Sequence, residues 1–538
     1  MATTAGSERV FLRKASGLIK TASVTDVFIY DIGLVSIGLG LGFILYFGPA
    51  AYPGGNLFVA TLLAGAAMLC VGLGMITWTV TIPRSGGIYC FGTRSMWPPF
   101  AYTLSFVEAS AWIFYGGFGA YYLTQLGLAP AITTMGLISG NSGLQNFGTT
   151  LAGPWGTFIV GGAALVIGAL ILVSGMRRFF FSQKIVFVIA VLGTLAFLAA
   201  LIFTSHDTFV NNFNALMAGQ LNVGSDAYNG VIAAAKKAGW SNAGFNWTQT
   251  LYLANWAFLP LIGSAFSISI GGEIKQVTRG QTLGILGAIA WSVVVWVAAY
   301  ALVYNSIGSD FLGAVTYNSF NVVSGAATPV TPYPTLLVAV GTKSVIMTVL
   351  IALGFIAWIW LWVPTQILYA TRAVMAWSLD RVFPDVFGQV SERTHTPIPA
   401  IVLSMVAGLV FLGFLCFTTI FQLVIFIEVA VVAWGIVLVA GVFFPYTRKE
   451  MYEKSPISNM KILGLPVMTV ACALGAIAAF AFFVDLWSDS IAAGHSTNSV
   501  AILIGWFVGG FAIFWIMKLI RRSQGVNVDL AFREIPVE

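Results

Sequence analysis

The sequence predicts an all-α integral membrane protein with about twelve transmembrane helices, and three observations carry that reading. Of its 538 residues, 58% are hydrophobic and only 8% charged, with a mean hydropathy of +0.91; a soluble domain carries roughly 25% charged residues. Uncharged apolar stretches long enough to cross about 30 Å of hydrocarbon as helices recur along the whole chain. The basic residues between them cluster in every second connection.

Each span is placed by its apolar run and its flanking charge. Span 1, roughly 27–48, follows a segment 1–26 carrying Arg9, Arg13, Lys14 and Lys20. Span 2 (57–80) is followed by Arg84 and Arg94, and spans 3 (98–126) and 4 (154–175) lead to Arg177, Arg178 and Lys184. Spans 5 (181–205) and 6 (249–271) lead to Lys275 and Arg279, and spans 7 (281–307) and 8 (339–368) to Arg372, Arg381 and Arg393. Spans 9 (398–418) and 10 (420–444) lead to Arg448, Lys449, Lys454 and Lys461. After spans 11 (463–487) and 12 (499–520) come Lys518, Arg521, Arg522 and Arg533. Only Lys236, Lys237 and Lys343 fall on the other side. Under the positive-inside bias this alternation requires an even number of spans and puts both termini in the cytoplasm of a cell-membrane protein, with 521–538 as a tail. The net charge of +6 is then a product of topology and does not argue for nucleic acid.

The remaining composition excludes several classes. The N-terminal segment has no continuous apolar run or cleavage-site pattern, so no removable signal peptide is expected, and Val10 to Ile19 can lie amphipathically at the interface. Cys70, Cys90, Cys416 and Cys472 fall in or beside spans, without disulfide or metal-ligand spacing. Neither cofactor nor metal is expected. His206, His395 and His495 sit in loops, and the zinc-protease, nucleophile-elbow and phosphate-loop motifs of membrane enzymes are missing. Asn246-Trp247-Thr248 is a sequon on the outer side. The long polar connections 127–153, 206–248 and 308–338 are read as caps over the external mouth rather than separate domains.

Two spans carry backbone punctuation in their middles. In span 1, Ser36-Ile37-Gly38-Leu39-Gly40-Leu41-Gly42-Phe43 places a glycine at every second position. That run is consistent with small-residue helix packing and equally with an unwound segment. In span 6, Leu259-Pro260-Leu261-Ile262-Gly263-Ser264-Ala265 adds a proline that removes a donor and kinks the helix. The two breaks lie five spans apart. An odd offset fits two inverted halves, roughly 27–205 and 249–444, with both breaks near the midplane and spans 11 and 12 (463–520) outside the repeat. Amides at a half-helix N-terminus favour a carboxylate, and freed carbonyls accept from an ammonium. Such a pair of breaks can hold a zwitterion without a charged side chain.

With those residues in view, the chain resembles the amino acid, polyamine and organocation transporter superfamily, which has the leucine-transporter-like fold. Its most specific piece is Pro83-Arg84-Ser85-Gly86-Gly87-Ile88-Tyr89, similar to the family's segment after span 2. Gly40-Leu41-Gly42-Phe43 with Gly48 resembles the family's glycine-rich break, and Gly263 lies ten residues before Glu273-Ile274-Lys275, as the family's span 6 break precedes its Glu-x-Lys. Thr371-Arg372, Asp380-Arg381, Pro384 and Thr396-Pro397-Ile398-Pro399-Ala400 resemble the segment between spans 8 and 9.

The resemblance implies an amino acid permease working by alternating access. Amides near Leu41, Gly42 and Phe43 would receive the substrate carboxylate, and carbonyls near Gly38, Leu259 and Ile262 the amine, with Gly40 and Gly263 shaping the breaks. Ala265 stands where arginine-exchanging relatives carry an acid, which points to a neutral substrate. Phe43, Phe258, Phe266 and one of Trp358, Trp360 and Trp362 are candidates for the pocket and gates. Arg84 and Arg94 are candidates for gate ion pairs with Glu273. Among intramembrane acids, Glu108 is the foremost proton-coupling candidate, and Asp31 either shares that role or pairs with a cytoplasmic arginine when the inner gate closes. The span 5 lysine of some relatives is absent near Ala190, so the coupling ion, H+ or Na+, stays open, as does the oligomeric state. Another organic amine or an exchange mode, a channel, a sensor and a membrane enzyme are the competing readings. The expected partners are the amino acid and membrane lipid.

Overall fold

A computed structural model of the chain describes residues 16–217, 219–242, 244–419, 427–491 and 497–535. Most of the amphipathic stretch expected at 10–19, the start of span 10, and His495 lie outside the described residues. The described chain is helical throughout apart from a two-stranded ribbon, Lys461–Ile462 with Leu465–Pro466.

The helices follow one another as α1 (Val24–Val35), α2 (Ile37–Ala51), α3 (Leu57–Thr81), α4 (Ile88–Ser95), α5 (Pro98–Tyr122), α6 (Ala129–Ser139), α7 (Ser142–Leu151), α8 (Pro154–Val173) and α9 (Met176–Phe203). Then come α10 (His206–Met217), α11 (Ala227–Lys237), α12 (Trp247–Leu261), α13 (Val277–Ser306), α14 (Ser309–Phe320) and α15 (Pro334–Thr342). The chain ends with α16 (Val345–Leu379), α17 (Ile398–Phe417), α18 (Ile427–Thr447), α19 (Lys449–Glu453), α20 (Val467–Ser488) and α21 (Thr497–Ser523).

Among the described residues eleven helices are long and apolar enough to cross a membrane, counting α1 with α2 and α12 with its continuation as one each. The helix outside that set is α5, 25 residues long and expected as span 3. It can be more polar because protein rather than lipid surrounds it: Ser105 and Glu108 are fully buried, and α8, α16, α17, α18 and α21 pack against it. With α5 the spans number twelve. Two boundaries differ from expectation. Span 3 runs on through a wider turn, Leu123–Leu128, into α6. Span 8 starts later and ends eleven residues beyond residue 368, because 334–342 forms the separate helix α15, which stops at Lys343 with φ 50°. Arg372 is therefore inside a helix rather than in the loop after it.

The long connections are folded caps. α11 packs on α14, α10 on α15, and α14 on α2; Phe209, Phe213, Phe311 and Tyr228 form their common core.

Candidate functional site

The first interruption is at Ser36. α1 starts from a capping box, the Ser23 hydroxyl accepting from the Asp26 amide while Asp26 accepts from the Ser23 amide. It ends where Ser36 adopts the left-handed region (φ 50°, ψ 74°), a costly conformation for a residue other than glycine. Gly38, Gly40, Leu41 and Gly42 are all helical, inside α2. The break thus falls before the glycines expected to make it. Of the donors at the start of α2, Gly40 already bonds the Ser36 carbonyl at 2.9 Å, which leaves the first-turn amides of Ile37, Gly38 and Leu39 without an intrahelical acceptor. The amides of Leu41, Gly42 and Phe43 belong to regular helical turns.

The glycines serve packing instead. A Cβ on Gly40 would lie 2.3 Å from the Trp296 ring, whose Nε1 donates to the Ile37 carbonyl at 3.1 Å. A Cβ on Gly38 would lie 3.0 Å from Phe355 and Trp358. Gly42 faces open space, with Tyr333 3.9 Å away.

The second interruption starts after Leu261. Pro260 remains inside α12, and the chain continues as a tighter 3₁₀ segment, Ile262–Ser269, with Ala265 off helical geometry (φ −113°, ψ 18°). It does not return to an α-helix. Either side of Gly271–Glu273 it joins short bridges, Ile270 with Ser85 and Ile274 with Ala22, and the Ser269 carbonyl accepts from the Gly86 amide at 2.9 Å. Gly86 (φ 125°) and Gly87 (φ 55°) make the turn that delivers that amide. The two breaks touch through backbone: a Cβ on Gly263 would lie 2.7 to 2.8 Å from the Leu34 carbonyl group and the Val35 nitrogen.

Above the crossing is a cavity of about 280 Å³. Leu34, Val35, Leu39, Leu259, Pro260, Ile262 and Gly263 form its floor; most of the rest is aromatic, including Phe43, Phe47, Trp112, Phe118, Tyr122, Trp256, Phe266 and Trp362. Among the described residues no charged side chain lines it, and Gln366 supplies its only amide side chain. Phe47, Trp256 and Ile491 place its mouth on the side where α2 ends and α12 begins. The Oγ atoms of Ser36 and Ser264 and the Oε1 of Gln366 are buried and have no partner among the described residues.

On the opposite side the protein is closed by two buried ion pairs. Arg372 on α16 makes a fork with Glu273, Nε to Oε1 at 2.6 Å and Nη2 to Oε2 at 2.9 Å. Arg94 on α4 grips Asp380 at the end of α16 at 2.8 and 3.3 Å, and the Tyr89 hydroxyl donates to the same carboxylate at 2.8 Å. Both guanidiniums are fully buried. The Glu273 carbonyl also receives the Thr21 and Ala22 amides at 2.9 and 3.0 Å, tying the start of the chain across this face. The C-terminal segment docks here too, with Val528, Ala531 and Phe532 buried and the Ala531 carbonyl accepting from Arg94 at 3.2 Å.

Two expected pairings are corrected. Glu273 is held by Arg372, while Arg84 donates to the Pro83 carbonyl and Arg94 pairs with Asp380. The cause is the length of α16, which carries Arg372 inward to meet Glu273. Asp31 is held by no arginine among the described residues: its oxygens accept from the Ser267 amide and hydroxyl, each at 2.8 Å, and Gln281 completes the node by donating to the Ser267 carbonyl at 3.0 Å. Asp31 thereby clamps α1 to the second break and to α13. Glu108 is fully buried, with Oε1 accepting from the Tyr369 hydroxyl and from Trp434 Nε1 at 2.9 Å.

Of the residues singled out in the sequence, Phe43, Leu259, Ile262 and Gly263 line the cavity with Phe266 and Trp362; Gly38, Gly40, Leu41, Gly42 and Ala265 stand behind it. Phe258 stacks on Phe482 at 4.0 Å, and Trp358 donates to Thr194, so neither lines it. Sequence reasoning missed Ser36 and Gln366. A lone serine before a glycine run and a lone glutamine in span 8 carry no pattern; a polar residue in an apolar span is the only available signal.

A bundle of apolar helices, two of them interrupted at one crossing beneath an uncharged cavity and sealed on one side, defines a multi-pass membrane transporter. The chain belongs to the amino acid permease family, whose model matches residues 23–511. A comparison with curated proteins finds no match.

Proposed function

We propose that this permease moves neutral amino acids across the cell membrane by alternating access, with both termini cytoplasmic and spans 1–5 and 6–10 as inverted halves. The observation that carries the reading is the uncharged cavity set on two touching helix breaks. The substrate carboxylate is received by the first-turn amides of α2, at Ile37, Gly38 and Leu39, where the helix dipole adds to the hydrogen bonds. The ammonium meets carbonyls at the end of α1, where Gly33 to Val35 have no following helical turn. The side chain points among the aromatic walls, where a charged group would lack a partner.

In this state the cavity faces outward and the two ion pairs keep the inner side shut. Closure of the aromatic side around the substrate supplies the differential affinity that shifts the equilibrium. Counterflow in proteoliposomes against each of the twenty amino acids tests the reading: neutral amino acids exchange label, while arginine, lysine, aspartate and glutamate do not. Gly263→Val, which forces a side chain into the Leu34 carbonyl, abolishes that exchange. Exchange of charged amino acids alone, or full exchange by the valine variant, defeats the assignment.

A further inference from the structure

We propose that Asp489 is a positioning residue of the cavity mouth: from span 11, outside the proposed inverted halves, it sets where the ring wall carried by α2 and α12 stands. The inference rests on the permease reading. α2 and α12 are each joined to the rest of their span only through a break, at Ser36 and after Leu261, so their tilt is set by what they pack against. α12 packs along α20 in rungs. The Tyr252 hydroxyl donates to the Ser488 carbonyl at 3.2 Å, Asn255 Nδ2 donates to Asp485 Oδ2 at 3.0 Å, and Phe258 stacks on Phe482 at 4.0 Å between ring centres. Successive rungs lie three residues apart on both helices, with the numbers rising on α12 as they fall on α20, so the seam is antiparallel and in register. Asn255 is buried, and an amide that lost its carboxylate partner inside an apolar span would be costly. α20 itself packs along α3 and α18, which makes it a post for the mouth.

Asp489, one residue past the end of α20 and buried, carries the seam across to α2. Its Oδ2 accepts from the hydroxyl of Tyr52, the residue that caps α2 with its amide on the Gly48 carbonyl at 2.8 Å. Its Oδ1 accepts from the Ile491 amide at 2.9 Å. The Tyr52 oxygen in turn accepts from Trp256 Nε1 at 3.2 Å, which orients an indole stacked on Phe47 at 4.8 Å and 17°. A hydroxyl that donates to a carboxylate is polarised into a better acceptor, so the two bonds support each other. Phe47, Trp256 and Ile491 all line the cavity, whereas Tyr52 and Asp489 stand behind its wall. One carboxylate thus places wall residues from α2, from α12 and from the segment after α20. It acts on the substrate only through those rings.

The test combines uptake by the purified full-length protein in proteoliposomes, using the neutral amino acid that exchanges best in counterflow, with fluorine NMR of protein carrying fluorotryptophan. Trp256→Phe identifies the Trp256 resonance. Tyr52→Phe, which removes one oxygen and keeps the ring, and Asp489→Ala each raise the half-saturating concentration about tenfold, the scale of one hydrogen bond to a charged group. Both hold the maximal rate and move the Trp256 resonance. The double variant does no worse than either single one, because both cut the same link. Asp489→Asn keeps one acceptor oxygen and falls between wild type and Asp489→Ala; a loss as large as that of Asp489→Ala would make the charge rather than the bond responsible and overturns the inference. An unmoved resonance in Tyr52→Phe overturns it too, as does a moved resonance with unchanged half-saturation. If Asp489→Ala fails to fold, Tyr52→Phe decides alone on the same two readouts. Wild-type protein without counterflow of any amino acid defeats the permease reading itself, whereas wild-type counterflow with Tyr52→Phe unchanged defeats only the positioning role.

Discussion

The two sides of the helix crossing are built from different chemistry. On the side proposed to face inward, Arg372–Glu273 and Arg94–Asp380 are buried, forked ion pairs tied to backbone at Thr21, Ala22 and Ala531. On the cavity side the walls are rings, with Phe43 against Tyr122 at 5.2 Å and Phe47 stacked on Trp256 at 4.8 Å. An aromatic pair contributes about 0.5–1.5 kcal/mol beyond its area, and rings can slide past one another without stranding a charge. Stripping one partner from a buried ion pair costs about 3–5 kcal/mol. Under the proposed alternating access, the cavity side can therefore close and reopen cheaply, whereas the sealed side opens only if water replaces each broken bond. For the proposed cycle, the asymmetry puts the larger conformational barrier at the ion-pair seal.

The largest expected effect tests that seal. Arg372→Ala leaves Glu273 buried without its cation, so the closed inner side loses about 3–5 kcal/mol and the protein shifts to inward-open conformations. Uptake from outside falls at least a hundredfold, and cysteines introduced at inner-facing positions become accessible to aqueous thiol reagents. Glu273→Gln with Arg372→Gln, which removes both charges, restores part of the closed state. Unchanged accessibility in Arg372→Ala would show that the pair is not the latch and would erase the contrast between the two sides.

Much of this arrangement was legible in the sequence, and the errors have a common physical cause. The spans, their charge alternation and the interruption after Pro260 follow from hydropathy and from proline's missing donor. The glycines of span 1 permit unwinding and so mark the expected first break, yet permission is not necessity. Gly38 and Gly40 are small because Phe355, Trp358 and Trp296 press on them, and those neighbours come from spans hundreds of residues away. Similarly, loop arginines are the partners that sequence proximity suggests for Glu273, whereas its actual partner, Arg372, depends on how far α16 extends. Element identity is a local property of the sequence, but pairing across the bundle is not.

A second effect, smaller than the first, separates packing glycines from open ones within the outer half. Gly40→Ala puts a Cβ into the Trp296 ring and strains the bond from Trp296 to Ile37; overpacking of this kind costs about 1–3 kcal/mol. Gly42→Ala meets only Tyr333 at 3.9 Å. Thermal unfolding in detergent should therefore show a lowered midpoint for Gly40→Ala and an unchanged one for Gly42→Ala. Equal midpoints would return the whole run to the role of a flexible break.

The smallest effect belongs to the cavity wall. Trp362 lines the cavity, lies 6.2 Å from Tyr115 between ring centres, and presses within 3.1 Å of the space a Cβ on Gly119 would need. Trp362→Leu keeps an apolar wall and removes one ring contact to the substrate side chain, a change of about 0.5–1.5 kcal/mol, or roughly two- to tenfold in affinity. Because the ring neither touches the ion pairs nor bridges the breaks, the loss should appear in the half-saturating concentration for uptake while the maximal rate holds. A fall in maximal rate with unchanged half-saturation would instead make Trp362 part of the gate, and the outer side would then carry more of the conformational barrier than its uncharged walls imply.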